Sequence, residues 1–358
     1  MVEDRQLRCL IAAGGTVGHV APSLAVAEAL HARGVEVTFA GSPDRVEARL
    51  VPERGYAFDA FRVAGFPRRP GRALARAVGL AAAAPAACLR ILARRKPDVV
   101  LGGGGYVSGP MVFAAWLRRI PVALTEADAE LGLANRLATR FARRLFLAYP
   151  IAGLNGKARV VGRPIPARSR AVPRGEARRA LELPEDGPLV LVFGGSQGAR
   201  TLNETALAAW SEAGPNVLHL CGTLDYDALR GRVARPGYRL LPFVDDFGAA
   251  LGAADLVIAR AGGSVWEIAA AERPAILVPY PYATADHQHR NAEYFAATGG
   301  ALVVEDAEAA REVPALADAL LRDEARLLEM GAAMRAAAKP DAADRIADEL
   351  IELAAARR

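Results

Sequence analysis

The stretch Arg8–Leu30, "RCLIAAGGTVGHVAPSLAVAEAL", decides the fold. An apolar run from Leu7 to Ala13 meets a glycine turn, Gly14-Gly15-Thr16-Val17-Gly18, and then a lone histidine, His19. A helix-like segment follows from about Val20 to Arg33, with Val20, Leu24 and Ala27 on one face. Strand, glycine turn and helix in that order open a βαβ unit. The pattern Gly-Gly-hydroxyl-x-Gly returns at 194–198, where "LVLVF" runs into "GGSQG". Around these two points short apolar runs alternate with helical ones. They are "VEVTFAG", "PDVVLGG", "PVALTEA", "RRLFLAY" and "ARVVG", then "NVLHLCG", "YRLLPFV", "DLVIARAGG", "PAILVPY" and "GALVVE". The rhythm predicts an α/β protein of two Rossmann-like lobes, each a doubly wound parallel sheet, with a cleft between them. Pro164, Pro166, Pro173 and Pro184 mark the stretch 160–188 as the linker.

At 358 residues the chain suits two domains, and 52% hydrophobic against 24% charged residues supplies two cores. Three cysteines, Cys9, Cys88 and Cys221, lie far apart without CxxC spacing. That argues for a reducing compartment and against disulfides or a zinc site. The first fifteen residues carry acids and too short an apolar core for a signal peptide. Val99–Leu117 is free of charge, but "GGGGYVSGP" in its middle breaks any spanning helix, so it reads as strand, loop and helix.

Glycine allows tight turns and close approach of a ligand to the backbone, and a helix N-terminus favours phosphate. Four such loops recur: "GGTVGH", "GGGGYVSG", "GGSQG" and "RAGGSVWE". One loop alone is as well explained by packing; four together favour an anionic, nucleotide-like ligand. The nicotinamide pattern is absent, since the loop is G-G-x-x-G and the second strand ends "TFAG" without an acid. No Walker G-K-[ST] is present. Asp225-Tyr226-Asp227 has DxD form but reads as an ordinary loop.

Taken together, "GGTVGHVAPSLAVAEAL", "DVVLGGGGYVSGP", "VFGGSQGARTLNE", "PFVDDF" and "WEIAAAERPAILVPY…DHQHRNA" resemble the MurG family across the whole chain, in order. The resemblance implies the GT-B fold and transfer of N-acetylglucosamine from its UDP donor to the 4-hydroxyl of N-acetylmuramic acid in lipid I, with inversion. It implies a first lobe over 1–162 that takes the acceptor and the membrane, a donor lobe over 163–339, and a last helix, 340–358, returning to the first lobe. Its partners are UDP-N-acetylglucosamine, lipid I and the anionic inner leaflet, on the cytoplasmic face, with no cofactor, no metal and no nucleic acid.

Carried over by position, the resemblance puts Ser196, Gln197 and Gly198 on the donor diphosphate and Val244 on the uracil. Glu267 takes the ribose hydroxyls and Gln288 the sugar, with His289 next to it among the donor contacts. Arg260 and the turn Gly262-Gly263-Ser264-Val265-Trp266 lie near the phosphates. Thr16, Val17, Gly18, Asp128 and Arg163 complete the donor contacts from the first lobe, and Gly14, Gly15, Gly104 and Tyr106 meet the acceptor. The chain departs from the family pattern in several places. Val17 replaces a glycine, Thr125-Glu126-Ala127-Asp128 stands for HEQN, and Gly162-Arg163-Pro164-Ile165-Pro166 stands for GNPVR. His289 replaces a glutamine, and the turn before Glu267 is one residue short. Arg163 is then the arginine left to supply a guanidinium.

The chemistry asks for a base near the attacking hydroxyl and preorganised donors at the leaving diphosphate. His19 is the first candidate for the base, with Glu126 and Asp128 as competitors. Backbone-amide cradles, one per lobe, are expected to hold the uridine diphosphosugar. Between Asp59 and Asp98 no acid occurs, while Arg62, Arg68, Arg69, Arg72, Arg76, Arg90, Arg94, Arg95 and Lys96 do. With Phe66, Leu74, Val78, Leu80, Leu89, Ile91 and Leu92 interleaved, the segment suits an anionic bilayer surface, and Arg118, Arg119, Arg140, Arg143 and Arg144 extend it. The rival readings are a glycolipid glycosyltransferase, a nucleotide-sugar epimerase, a nucleic-acid-binding protein and an inactive nucleotide-sugar sensor. Low aromatic content, 6%, counts against nucleic acid.

Overall fold

A computed structural model describes residues 5–65, 71–154, 156–233, 235–283 and 286–357, without the side chains of 73–76 and 78. It divides into two compact units, Met1–Pro166 with Pro340–Arg358, and Ala167–Lys339.

The first unit runs β1 (Arg8–Ala12), α1 (Val17–Ala32), β2 (Glu36–Gly41), α2 (Glu47–Glu53), β3 (Ala57–Ala60), α3 (Arg72–Arg95), β4 (Val99–Gly102), α4 (Ser108–Leu117), β5 (Val122–Glu126), α5 (Leu133–Ala138), β6 (Arg144–Leu147) and β7 (Ala158–Val160). Its sheet is parallel in the order β3-β2-β1-β4-β5-β6-β7. The second unit runs α6 (Arg174–Ala180), β8 (Leu189–Phe193), α7 (Arg200–Trp210), β9 (Asn216–Leu220), α8 (Tyr226–Leu229), β10 (Tyr238–Leu241), α9 (Phe247–Ala253), β11 (Leu256–Ala259), α10 (Val265–Ala270), β12 (Ala275–Leu277), α11 (His287–Ala297), β13 (Ala301–Val303), α12 (Ala309–Leu321) and α13 (Glu324–Ala337). Its sheet is parallel in the order β10-β9-β8-β11-β12-β13.

Both sheets are doubly wound, which is the pair of Rossmann-like lobes of the GT-B fold. The strands are continuous apolar runs because helices cover both faces; β4 and β8 are buried along their length. Strand order reverses between β1 and β4 in one sheet and between β8 and β11 in the other. The loops leaving those four strands are the four glycine turns, so the sequence spends its glycines at the two points where such sheets bind ligands.

The last helix, α14 (Ala342–Ala355), belongs to the first unit. Ile346, Leu350 and Leu353 enter the same core as Val26 and Leu30 of α1. Each such burial contributes about 1.5–3 kcal/mol. Arg33 fixes the register, donating to Asp344 at 2.9 Å and to Asp348 at 2.7 Å.

Four expectations need correction. The first helix starts at Val17, so His19 stands in its opening turn. The short edge strand β3 was not foreseen. The proline stretch is not all linker: Pro173 precedes α6, which packs on α9 inside the second unit, and the chain changes unit at Pro166–Ala167. In the basic segment Ile91 and Leu92 are core residues, and Asp59 binds Arg94 at 2.5 Å and Arg95 at 2.6 Å. Phe66, Arg68 and Arg69, and the side chains of Leu74, Arg76 and Val78, lie outside the described residues. No helix among the described residues is long and apolar enough to cross a membrane.

Candidate active site

In the first unit the turns after β1, β4 and β5 converge on His19. Its Nδ1 lies 3.2 Å from Thr16 Oγ1, and the Gly14 carbonyl favours the protonated ring. The second glycine turn packs against the imidazole. A Cβ on Gly104 would sit 2.6 Å from His19 Cδ2, and Gly104 has φ +95°, so only glycine fits there. Tyr106 covers Gly15, with its ring 3.2 Å from where a Cβ would lie. Burial holds the His19 pKa below 6.5; Asp128 opposes this and the Arg163 guanidinium reinforces it. The ring is therefore neutral at pH 7.

Arg163 is largely buried. It donates to Gly18 O at 2.6 Å and to Ala127 O at 3.3 Å, clamping the first turn to the β5 turn. Glu126 is likewise committed. One oxygen accepts from Ala127 N and Asp128 N, the other from Gly132 N at 2.9 Å and Asn135 Nδ2 at 3.0 Å. Burial raises its pKa while these bonds oppose the rise. The carboxylate is turned into its own loop, whereas Asp128 is only partly buried. Thr16, Val17 and Gly18 are exposed on the turn.

Sequence reading missed Glu47. It is fully buried under the first turn, where Oε2 accepts from Gly15 N at 3.0 Å and Oε1 from Ser42 N at 3.0 Å. The signal was present: Glu47 shares the inward face of α2 with Leu50 and Val51, at i+3 and i+4. The two Gly-Gly-hydroxyl-x-Gly turns thus differ. The first has a carboxylate bound beneath it, so its Gly15 amide is not part of an anion cradle.

The second-unit turn has no carboxylate on the amides of 195–198 among the described residues. Ser196 and Gln197 are exposed, and Gly198, at φ +89°, rests against the Cys221 carbonyl so closely that a Cβ would collide with it. Asn203 in α7 locks that contact, donating to Cys221 O at 3.0 Å and Asp225 Oδ2 at 2.9 Å. Its own Oδ1 meets His219 Nε2 at 3.0 Å, and Tyr238 OH meets His219 Nδ1 at 2.8 Å. Asp225 is therefore a structural partner, and no metal-holding cluster occurs among the described residues.

Arg260, at the end of β11, bonds the carbonyls of Val278 and Pro279 at 3.1 Å, meets Asp306 at 2.6 Å and lies over the Tyr280 ring. Thr201 of α7 binds the other Asp306 oxygen at 3.1 Å, joining the ends of β8, β11 and β13. The turn Gly262-Gly263-Ser264 leads into α10, with Glu267 in its first turn. Val265 and Trp266 point into the core, Trp266 against Phe295, so only their backbone is available to a ligand. Val244 is partly buried in the turn between β10 and α9, where Asp246 caps α9 through Ala249 N. Gln288 Oε1 accepts from Tyr280 N at 2.9 Å. His289 faces Glu293 at 3.2 Å and Glu305 at 3.5 Å.

The fold and these turns define a nucleotide-sugar glycosyltransferase class, and comparison with known proteins agrees. The glycosyltransferase family 28 N-terminal domain matches residues 9–147 and the family 28 C-terminal domain matches 189–346. A UDP-N-acetylglucosamine–N-acetylmuramyl-(pentapeptide) pyrophosphoryl-undecaprenol N-acetylglucosamine transferase of Halorhodospira halophila is 43% identical over 357 residues, 96% of this chain and 98% of the relative. The protein of that name from Acidithiobacillus ferrooxidans is 42% identical over 96% of this chain and 97% of its own length. The crystal structure of Acinetobacter baumannii MurG superposes with a TM-score of 0.79 at 30% identity, covering 97% of this chain and 99% of that one. The chain belongs to the MurG family of N-acetylglucosamine transferases.

Proposed function

We propose that this enzyme moves N-acetylglucosamine from UDP-N-acetylglucosamine to the 4-hydroxyl of the N-acetylmuramic acid of lipid I, with inversion. The full-length relation to transferases of that name carries the substrates. The neutral imidazole of His19, set among three turns of the first unit, supports the chemistry. The acceptor hydroxyl passes its proton to His19 as its oxygen attacks the anomeric carbon. The bond from that carbon to the diphosphate breaks, and UDP leaves with the electron pair. Asp128 faces the imidazolium that forms and steadies its charge, while Glu126 and Arg163 hold the turns.

In the second unit, the Gly195–Gly198 turn and the start of α7 meet the leaving diphosphate as preorganised donors. Val244 offers its backbone to the uracil. Glu267 takes the ribose diol, and Gln288, whose oxygen is spent on Tyr280, offers its amide N–H groups to the sugar. Gly104 and Tyr106 border the acceptor. Calorimetry with UDP-N-acetylglucosamine, UDP-glucose and NAD tests this reading. Binding of the first above the second, and none of the third, supports it; equal binding of NAD refutes it.

The enzyme works at an anionic bilayer on the cytoplasmic face. Support comes from α4 and α5, where Trp116, Leu117, Leu133 and Leu137 are about half exposed or more. Trp116 stacks on Phe113 and meets Phe141 at 4.9 Å, and Arg118, Arg119, Arg140 and Arg143 are exposed around them. Apolar rings ringed by guanidinium groups match a headgroup boundary.

A further inference from the structure

We propose that Glu47 is a positioning residue for the transfer, acting on His19 through the Gly14–Gly15 peptide. The proposal rests on His19 being the base. A trans peptide is planar, so its N–H and C=O point in opposite directions. Glu47 Oε2 holds the Gly15 N–H at 3.0 Å beneath the turn. The Gly14 carbonyl at the other end of that unit is thereby turned toward the His19 ring, where it favours the protonated imidazole. Carboxylate, peptide and imidazole form one series. It fixes which ring nitrogen carries the proton and leaves the other with its lone pair toward substrate. Hydrogen bonds in series polarise one another, so the anion below strengthens the acceptor above.

Glu47 is fully buried beside Leu50 and Val51, where a charge carries a desolvation cost that its bonds to the Gly15 and Ser42 amides offset. The surroundings are also shaped to it. A Cβ on Gly14 would collide with the carboxylate, and one on Gly41 would lie 2.8 Å from Glu47 Cγ. The charged groups acting on His19 are Asp128 in the β5 turn, Arg163 after β7 and Glu47 from α2.

The test compares Glu47→Gln, His19→Ala and the unaltered enzyme, assayed well below the variants' melting temperatures. Glu47→Gln keeps the volume, removes the charge and sets an amide N–H against a backbone N–H. It is expected to lower kcat at least about tenfold, with KM for UDP-N-acetylglucosamine within about twofold, and to move the acid limb of the kcat/KM profile to lower pH. A kcat within twofold of wild type, alongside an inactive His19→Ala, overturns the role of Glu47. Normal turnover by His19→Ala instead refutes the base beneath it. Nitrogen-15 spectra of the unaltered enzyme give a second reading independent of any variant. They should show His19 in a single neutral tautomer at pH 7.5, and a freely exchanging pair of tautomers overturns the proposal.

Discussion

Arg163 donates to the carbonyl of Gly18 at 2.6 Å, the residue directly before His19, and the same guanidinium reaches Ala127 O in the next turn. One planar group with several fixed donors spans two loops, which a lysine ammonium on one stem does not reproduce. Arg163→Lys should therefore retain charge but lose the clamp. We expect kcat to fall about tenfold, and calorimetric affinity for UDP-N-acetylglucosamine to change little, because the turn proposed to hold the donor diphosphate belongs to the other unit. Loss of donor affinity with unchanged kcat would instead make Arg163 a phosphate ligand.

The pH dependence follows from His19. Its pKa is held below the usual 6.5, chiefly by burial. A base acts when neutral, so activity is present above the folded-state pKa and lost as pH falls through it. The acid limb of kcat/KM should have its midpoint below pH 6.5, measured with saturating donor. A midpoint well above 7 would point to a different group.

Burial pushes the His219 pKa down to about 4, and the side chain is fully enclosed. The unfolded chain binds this proton near pH 6.5, so it holds more protons than the native state between 6.5 and 4. Stability from this group is complete above pH 6.5 and is lost as pH falls toward 4, by about 3 kcal/mol in full. Urea titrations at pH 7.5 and 4.5 check this. His219→Gln, which cannot titrate, should show a smaller difference between the two.

The surface of α4 and α5 makes a further prediction. Trp116→Ser together with Leu117→Ser should weaken binding to anionic vesicles at least about tenfold, since each large apolar side chain withdrawn from water is worth about 1.5–3 kcal/mol. Binding by the unaltered enzyme should fall as salt rises. Equal binding to neutral vesicles, or no effect of the pair, would remove this face from the interface.

The sheets were legible because parallel strands covered on both faces must be apolar throughout. Runs such as Leu189–Phe193 stand out against their flanks. The strand Ala57–Ala60 did not, because it lies at the sheet edge, spans four residues and carries Asp59. Site loops were legible as glycine patterns, since backbone conformation leaves a mark in composition. What their side chains bond to left much less. Arg163 and Glu126 read as ligand-facing charges, and their bonds to carbonyls and amides of neighbouring turns are not written in the sequence. Glu47 was readable only as an acid on an apolar helix face. A basic run likewise says nothing of which of its apolar neighbours enter the core, as Ile91 and Leu92 do.

Turnover by His19→Ala with UDP-N-acetylglucosamine and a lipid I analogue tests the account most directly. The expected result is a kcat lowered at least about 100-fold with donor affinity retained. Turnover within a few-fold of wild type would contradict it and shift the role of base to Asp128.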